Sequence, residues 1–209
     1  MEAVILGPPG SGKSTQSRHL SEEYNIKHVN TGEILRNNED RLTGAGKIRE
    51  IMDRGDLVPK PIVNELVMNV IEETENYVLD GFPRTRSQAE LLVNSQDVDI
   101  IIHLEVPLKL AKERVLNRLI CRNCNCIYNA TTNPPTHENR CDRCGDVLKQ
   151  RNDDNRESTI NRIENYAYQT EEVIQYFSRS ENYTSINAEQ NIESVFQKIC
   201  DVIDEAMTG

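Results

Sequence analysis

Eight consecutive residues near the start of the chain, Gly7-Pro8-Pro9-Gly10-Ser11-Gly12-Lys13-Ser14, have the types and spacing to cradle phosphate. Glycines let backbone amides turn inward around phosphate oxygens. A helix opening at the end of the run adds partial positive charge. Lys13 can reach the outer phosphates, and Ser14 or Thr15 brings a hydroxyl near the phosphates or Mg²⁺. Every position of the Walker A pattern is filled, between a strand-like run (Ala3 to Leu6) and a helix-like one (Lys13 to Tyr24). A glycine-rich turn that binds nothing is the competing reading, and that context disfavours it. The run marks a nucleoside triphosphate site without specifying a reaction.

A second constellation is Cys121-x2-Cys124 with Cys141-x2-Cys144, separated by 16 residues. Two such knuckles at this distance suit one tetrahedral zinc held by four thiolates. The enclosed stretch is rich in Cys, Asn, Pro and Arg and poor in aliphatics, so a metal would replace a core. Free reduced thiols are the bland alternative. A redox role fits poorly, since neither pair opens a helix of a thioredoxin-like unit. Cys126 and His137 are weaker competing ligands, and Cys200 reads as a packed core thiol. Arg122, Arg140 and Arg143 give the segment some basic character, but a nucleic-acid finger conflicts with the acidic chain around it.

The third constellation is a set of arginines. A monophosphate carries up to about two negative charges, which Arg36 and Arg84 could clamp with bidentate bonds. Gln88 lies one helical turn past Arg84 and reaches the same pocket, where its amide can pair with the amino group and ring nitrogen of adenine. Asp80 ends a strand, where ligands of α/β sheets sit, and is a natural Mg²⁺ organiser through water.

Four blocks together resemble the signatures of the adenylate kinases, nucleoside monophosphate kinases of which one type carries a long zinc-binding lid. They are the phosphate loop extended to Thr15-Gln16, Thr31-Gly32-Glu33-Ile34-Leu35-Arg36, Leu79-Asp80-Gly81-Phe82-Pro83-Arg84-Thr85, and Arg151-Asn152-Asp153-Asp154. The resemblance covers nearly the whole chain in the family's order. It implies reversible phosphoryl transfer from MgATP to AMP, giving two ADP, with zinc in a structural role at Cys121, Cys124, Cys141 and Cys144. ATP would meet Gly10, Ser11, Gly12, Lys13, Ser14, Thr15 and Arg118, with Ile127 and Tyr128 from the lid and the Gln190 backbone at its adenine. AMP would meet Thr31, Arg36, Gly81, Phe82, Pro83, Arg84, Gln88, Arg151 and Arg162, with backbone contacts from Asp56, Leu57 and Val58 and an apolar lining from Met52 and Val63. Lys13, Asp80, Arg84, Arg118, Arg151 and Arg162 would be catalytic, with Asp153 and Asp154 orienting the arginines.

Two departures stand out. Ser14 occupies a position where the family often has glycine. Lids of this type usually carry Gly-Arg-Arg before the first zinc cysteine. Here Arg118-Leu119-Ile120 runs into Cys121, so one lid arginine has no matching position, and Arg122 is a candidate substitute. Two rival functions follow: a monophosphate kinase for another base, and a nucleotide-binding sensor with impaired catalysis.

These groups must be carried by something. Strand-like runs alternate with helix-like ones: strands at 27–29, 76–79, 99–106 and 183–186, helices at 62–73, 87–94, 108–119, 153–177 and 192–207, and a broken helical stretch at 31–52. That alternation predicts an α/β fold with a parallel five-stranded sheet and helices on both faces. One P-loop kinase domain is expected, its core being 1–29, 59–117 and 155–209. A monophosphate-binding segment at 30–58 and a zinc lid at 118–154 would be inserted in it. The 209 residues suffice for one core plus a small insertion. A formal net charge of −10 argues against wrapping nucleic acid. With no long apolar run and no secretion-type leader, the expectation is a monomer in the cytoplasm, where thiols stay reduced.

Overall fold

The computed structural model describes residues 1–208. The chain opens with β1 (Glu2–Leu6), the phosphate loop and α1 (Lys13–Glu23), then β2 (Lys27–Asn30) and α2 (Thr31–Asn37). A two-stranded hairpin, β3 (Leu42–Thr43) and β4 (Gly46–Lys47), leads into α3 (Ile48–Asp53). Next come α4 (Lys60–Glu72), β5 (Tyr77–Asp80), α5 (Arg86–Ser95), β6 (Ile100–Glu105) and α6 (Leu108–Leu116). The lid holds β7 (Arg118–Cys121), β8 (Ile127–Asn129) and β9 (Leu148–Lys149). A 3-10 turn (Asn152–Asp154), α7 (Arg156–Asn165), a π turn (Tyr166–Thr170), α8 (Glu171–Phe177), β10 (Tyr183–Asn187) and α9 (Ile192–Thr208) complete the described residues.

Five strands form one parallel sheet in the order β10-β6-β1-β5-β2. Alternate residues of β1 go to opposite faces, as the pleat requires. Ala3 and Ile5 pack with Leu20 of α1 and with Ile199 and Ile203 of α9. Val4 and Leu6 belong to the opposite cluster, with Val67 and Ile71 of α4, Leu92 of α5 and Phe177 of α8. Both faces are covered, so the central strands read as continuous apolar runs rather than alternating ones. Because the strands are parallel, Gly7, Thr31 and Gly81, which follow β1, β2 and β5, emerge on one edge of the sheet.

The helical stretch at 31–52 is broken as expected, by a hairpin with Gly46 at φ +112 in its turn. Two helical expectations differ from the structure. The helix at 108–119 stops at Leu116, and Arg118 to Cys121 becomes a strand paired antiparallel with β8 and β9. The 153–177 helix is broken: Asn155 caps α7 with its side chain, accepting from the Ser158 amide at 2.9 Å, and a π turn separates α7 from α8. In each case a local cap or pairing partner overrides helical periodicity.

Candidate active site

One cavity of about 880 Å³ lies over the carboxyl edge of the sheet, between the phosphate loop, the 30–58 segment and the lid. The residues expected to meet ATP or AMP all line it, from Gly10 to Gln190, whereas Asp154 and Arg122 do not. Its floor is the phosphate loop. Gly10 takes φ +86, and a Cβ there would meet the Ala111 carbonyl oxygen at 2.3 Å, so the loop's approach to α6 requires glycine. Lys13 Nζ donates to the Gly7 and Pro8 carbonyl oxygens at 2.7 and 2.9 Å. Burial pushes its pKa down to about 8 against the pull of Asp80, with Arg84, Arg162 and Arg118 adding repulsion.

Asp80 ends β5 beside the loop. Its Oδ2 accepts from Ser14 Oγ at 2.6 Å and Asn30 Nδ2 at 2.7 Å, and His28 Nε2 lies 3.5 Å away. Burial opposes this charge, but His28, Lys13 and Ser14 hold the carboxyl at about 2. Asn30 works in both directions, since its Oδ1 also caps α2 by accepting from the Glu33 amide at 2.9 Å. A fixed carboxylate beside a phosphate-loop hydroxyl is a hard-oxygen environment suited to hydrated Mg²⁺.

Opposite the loop, Arg36, Arg84, Arg118, Arg151 and Arg162 converge. Arg118 forks onto Asp154, with Nε to Oδ2 at 2.8 Å and Nη2 to Oδ1, and Arg162 Nη1 reaches the same Oδ1 at 3.0 Å. Asp154 has no exposed surface. Burial disfavours its charge, yet Arg118 and Arg162 hold its pKa down. Arg162 also meets Asp153 at 3.4 Å. Burial lowers the pKa of Arg151 to about 9, with Arg118 and Arg36 adding to the shift; the group remains cationic at neutral pH. Arg36, Arg84 and Arg162 are also shifted down by desolvation, although Arg84 is accessible from the cavity. The lining thus carries eight cations (these five with Lys13, Lys60 and Arg114) against five carboxylates (Asp56, Asp80, Asp153, Glu189 and Glu193), with Asp154 buried behind it. Arg151 Nε, Thr31 Oγ1 and Ser11 Oγ are buried in the lining without a protein hydrogen-bond partner. In an acidic chain this is a local site for polyanions.

The lid closes over these groups. Asn125 Nδ2 donates to Glu33 Oε1 at 2.8 Å, Arg18 donates to the Asn125 carbonyl, and Arg143 lies 3.4 Å from Glu22. Its only buried apolar residues are Cys121, Cys141 and Leu148. The Sγ atoms of Cys121, Cys124, Cys141 and Cys144 all lie within 4.8 Å of one another, three of the separations being 3.4–3.5 Å. Tetrahedral zinc with ~2.3 Å bonds needs about 3.8 Å between sulfurs, so the set fits one such ion. Cys126 and His137 are not part of the cluster.

Some placements were not foreseen. Arg122 is exposed and outside the cavity, so it does not replace the missing lid arginine. Arg114 does line the cavity, held by the Ala188 and Glu189 carbonyl oxygens at 2.8 and 3.1 Å beside Gln190. Its position four residues before Arg118 was the available signal. Tyr128 lines the cavity, but its hydroxyl is taken by the lid, accepting from the Asp142 amide at 2.8 Å and lying 3.5 Å from Cys141 Sγ. The π turn brings Tyr166, Gln169 and Thr170 to the wall. No helix among the described residues is long and apolar enough to cross a membrane.

Comparison with known proteins places this geometry in a family. The family model described as adenylate kinase matches residues 5–182. A Thermoanaerobacter sp. (strain X514) protein named adenylate kinase is 37% identical over 208 residues, covering 95% of this chain and 96% of the relative. The adenylate kinase of Petrotoga mobilis is 36% identical over 97% of both chains. That of Haloarcula marismortui is 37% identical over 96% of this chain and 95% of its own.

Proposed function

This chain belongs to the adenylate kinase family and catalyses reversible transfer of a phosphoryl group from MgATP to AMP, and we propose how its own residues divide that work. The observation that carries the proposal is the convergence of Lys13, Arg36, Arg84, Arg118, Arg151 and Arg162 on one cavity whose lining runs from Gln88 to Gln190.

The ATP phosphates lie in the loop from Gly10 to Thr15, with Lys13 leaving its carbonyl partners to meet the outer phosphates. Arg114 and Gln190 border the adenine of ATP, and Ile127 and Tyr128 cover it from the lid. Arg36 and Arg84 hold the AMP phosphate. Its base enters the pocket formed by Thr31, Gln88 and the Asp56-Leu57-Val58 backbone, against Met52 and Val63. Mg²⁺, when bound with ATP, screens the phosphate oxygens and orients them for in-line transfer. Asp80, with Ser14 and Asn30, holds the hydrated ion's side of the cavity. Arg118, Arg151 and Arg162 surround the phosphoryl group as it moves, where preorganised cations are worth most. Asp154 holds two of them still. No general base is needed, because the acceptor oxygen is already an anionic phosphate oxygen.

The 30–58 segment and the 118–154 lid act as the two moving caps. Both substrates must enter a site that afterwards excludes water. The contact between Asn125 and Glu33 joins the two caps directly. We place the protein in the cytoplasm because a thiolate cluster needs a reducing compartment. We take it to be a monomer because one chain supplies the whole cavity wall. The test of function is ADP formation from ATP with AMP, GMP, CMP or UMP. AMP is expected to be the preferred acceptor by at least tenfold. ATP binding without turnover on any of them would instead make the chain a sensor.

One structural zinc is proposed at Cys121, Cys124, Cys141 and Cys144. Metal analysis of purified protein should give one zinc per chain. A Cys121→Ser, Cys144→Ser double variant should lose the metal and become sensitive to proteolysis within 118–154 while the sheet core persists. Full metal content in the double variant would contradict the assignment.

A further inference from the structure

The Gln88 amide is held by two protein partners from outside the acceptor pocket. Its Oε1 accepts from the Arg84 backbone N–H at 2.9 Å, and its Nε2 donates to Asn64 Oδ1 at 3.1 Å. Gln88 is 4% exposed and lines the cavity, whereas Asn64, on α4, is half-buried behind it and does not. The Arg84 N–H can only donate, so the oxygen of Gln88 must face it, and the nitrogen must then face Asn64.

An amide oxygen has two lone pairs and an amide nitrogen two hydrogens. With one of each used on the protein, Gln88 retains one acceptor and one donor in a fixed order. That order complements a base edge carrying an exocyclic amino group beside an unprotonated ring nitrogen. Adenine presents that edge, and so does cytosine. Guanine presents a carbonyl beside a ring N–H, and uracil does likewise, so either would face donor against donor and acceptor against acceptor. A Gln88 amide free to rotate by half a turn would lose this discrimination.

We propose that Asn64 is a positioning residue for acceptor-base specificity: together with the Arg84 amide it fixes the orientation of Gln88, and so selects amino-bearing bases over carbonyl-bearing ones. This rests on the assignment of Gln88 to the acceptor base given above. The effect is expected at the acceptor end of the cavity, since Asn64 acts through its hydrogen bond with Gln88.

The test compares KM for AMP, KM for ATP and the AMP-over-GMP preference in wild type, Asn64→Leu, Asn64→Asp and Gln88→Leu. Asn64→Leu removes the acceptor at similar size. It should raise KM for AMP about tenfold and narrow the preference about as much, as expected for losing one partner of a specificity group. KM for ATP should hold. Asn64→Asp keeps an acceptor oxygen and should restore AMP handling to within about twofold of wild type. Asn64→Ala is read in its place if the leucine variant does not fold. Wild-type AMP handling in Asn64→Leu, with both properties lost in Gln88→Leu, would overturn the role of Asn64. Equal losses in the leucine and aspartate variants would also overturn it, as a merely structural effect. An unaffected Gln88→Leu would instead overturn the assignment of the base pocket.

Discussion

Asp154→Ala should unfold at a markedly lower temperature than the wild-type protein, by about 10 °C, corresponding to about 3–5 kcal/mol. Asp154 has no exposed surface and binds Arg118 and Arg162 at once. Forming such a buried cluster gains little net stability, because desolvation offsets attraction. Removing its anion is another matter, since it leaves uncompensated cations in a site already crowded with them. Asp153 pairs with Arg162 at 3.4 Å and attracts Arg118 and Arg151 through space, so it offsets only part of the lost negative charge. Asp154→Asn keeps the shape and one acceptor oxygen and should fall between the two. The carboxyl is held below its ordinary range. Its contribution is therefore in force above about pH 4, the unfolded value, and is lost as pH falls through the lower folded value. Added ATP should recover part of the loss in Asp154→Ala, because a polyanion supplies the missing negative charge. Thermal scans with and without nucleotide read all three effects.

Lys13→Met should behave in the opposite way: about 10²–10³-fold lower kcat, with an unfolding temperature within a few degrees of wild type. Lys13 is a desolvated cation beside Arg84, Arg162 and Arg118, and only Asp80 draws it toward the charged state. Its two carbonyl contacts are modest gains against that cost. Its charge becomes strongly favourable only when phosphate arrives. The pH dependence follows with a definite sign. Before nucleotide binds, the pKa is about 8, and phosphate must raise it. Binding above pH 8 therefore takes up a proton, and ATP affinity should fall with rising pH, approaching tenfold per unit. Lys13→Met should bind more weakly and lack that dependence. Retained turnover in this variant would remove Lys13 from the transfer step.

The two variants also illustrate which parts of the molecule could be read from sequence. The sheet was legible because its strands are apolar on both faces, as in Ala3 to Leu6 and Ile100 to Ile102, and because the phosphate loop fixes where β1 ends and α1 begins. Cys121, Cys124, Cys141 and Cys144 were legible because ligand spacing reports a shared metal without knowledge of the path between. The helical interruptions were not. Asn155 looks like any polar helix residue until its side chain is seen capping Ser158, and Arg118-Leu119 looks helical until β8 pairs with it.

The same limit applies inside the cavity. Lys13, Arg84 and Asp80 sit in motifs that announce them. Arg114, Asn64 and the π-turn residues do not, because their contributions depend on carbonyl groups and amides brought from distant segments. Arg114 meets Ala188 and Glu189 across 74 and 75 residues of chain. Asn30 is an intermediate case: its type suggests a cap, but its second bond, to Asp80, is tertiary.

The most direct measurement is calorimetric titration with a dinucleotide in which two adenosines are joined by five phosphates, spanning both base pockets in one molecule. A single molecule should bind per chain, exclude ATP and AMP together, and lose most of its affinity in Lys13→Met. Binding of two molecules per chain, or of one that leaves AMP free to bind, would mean that the cations do not surround a shared phosphoryl path.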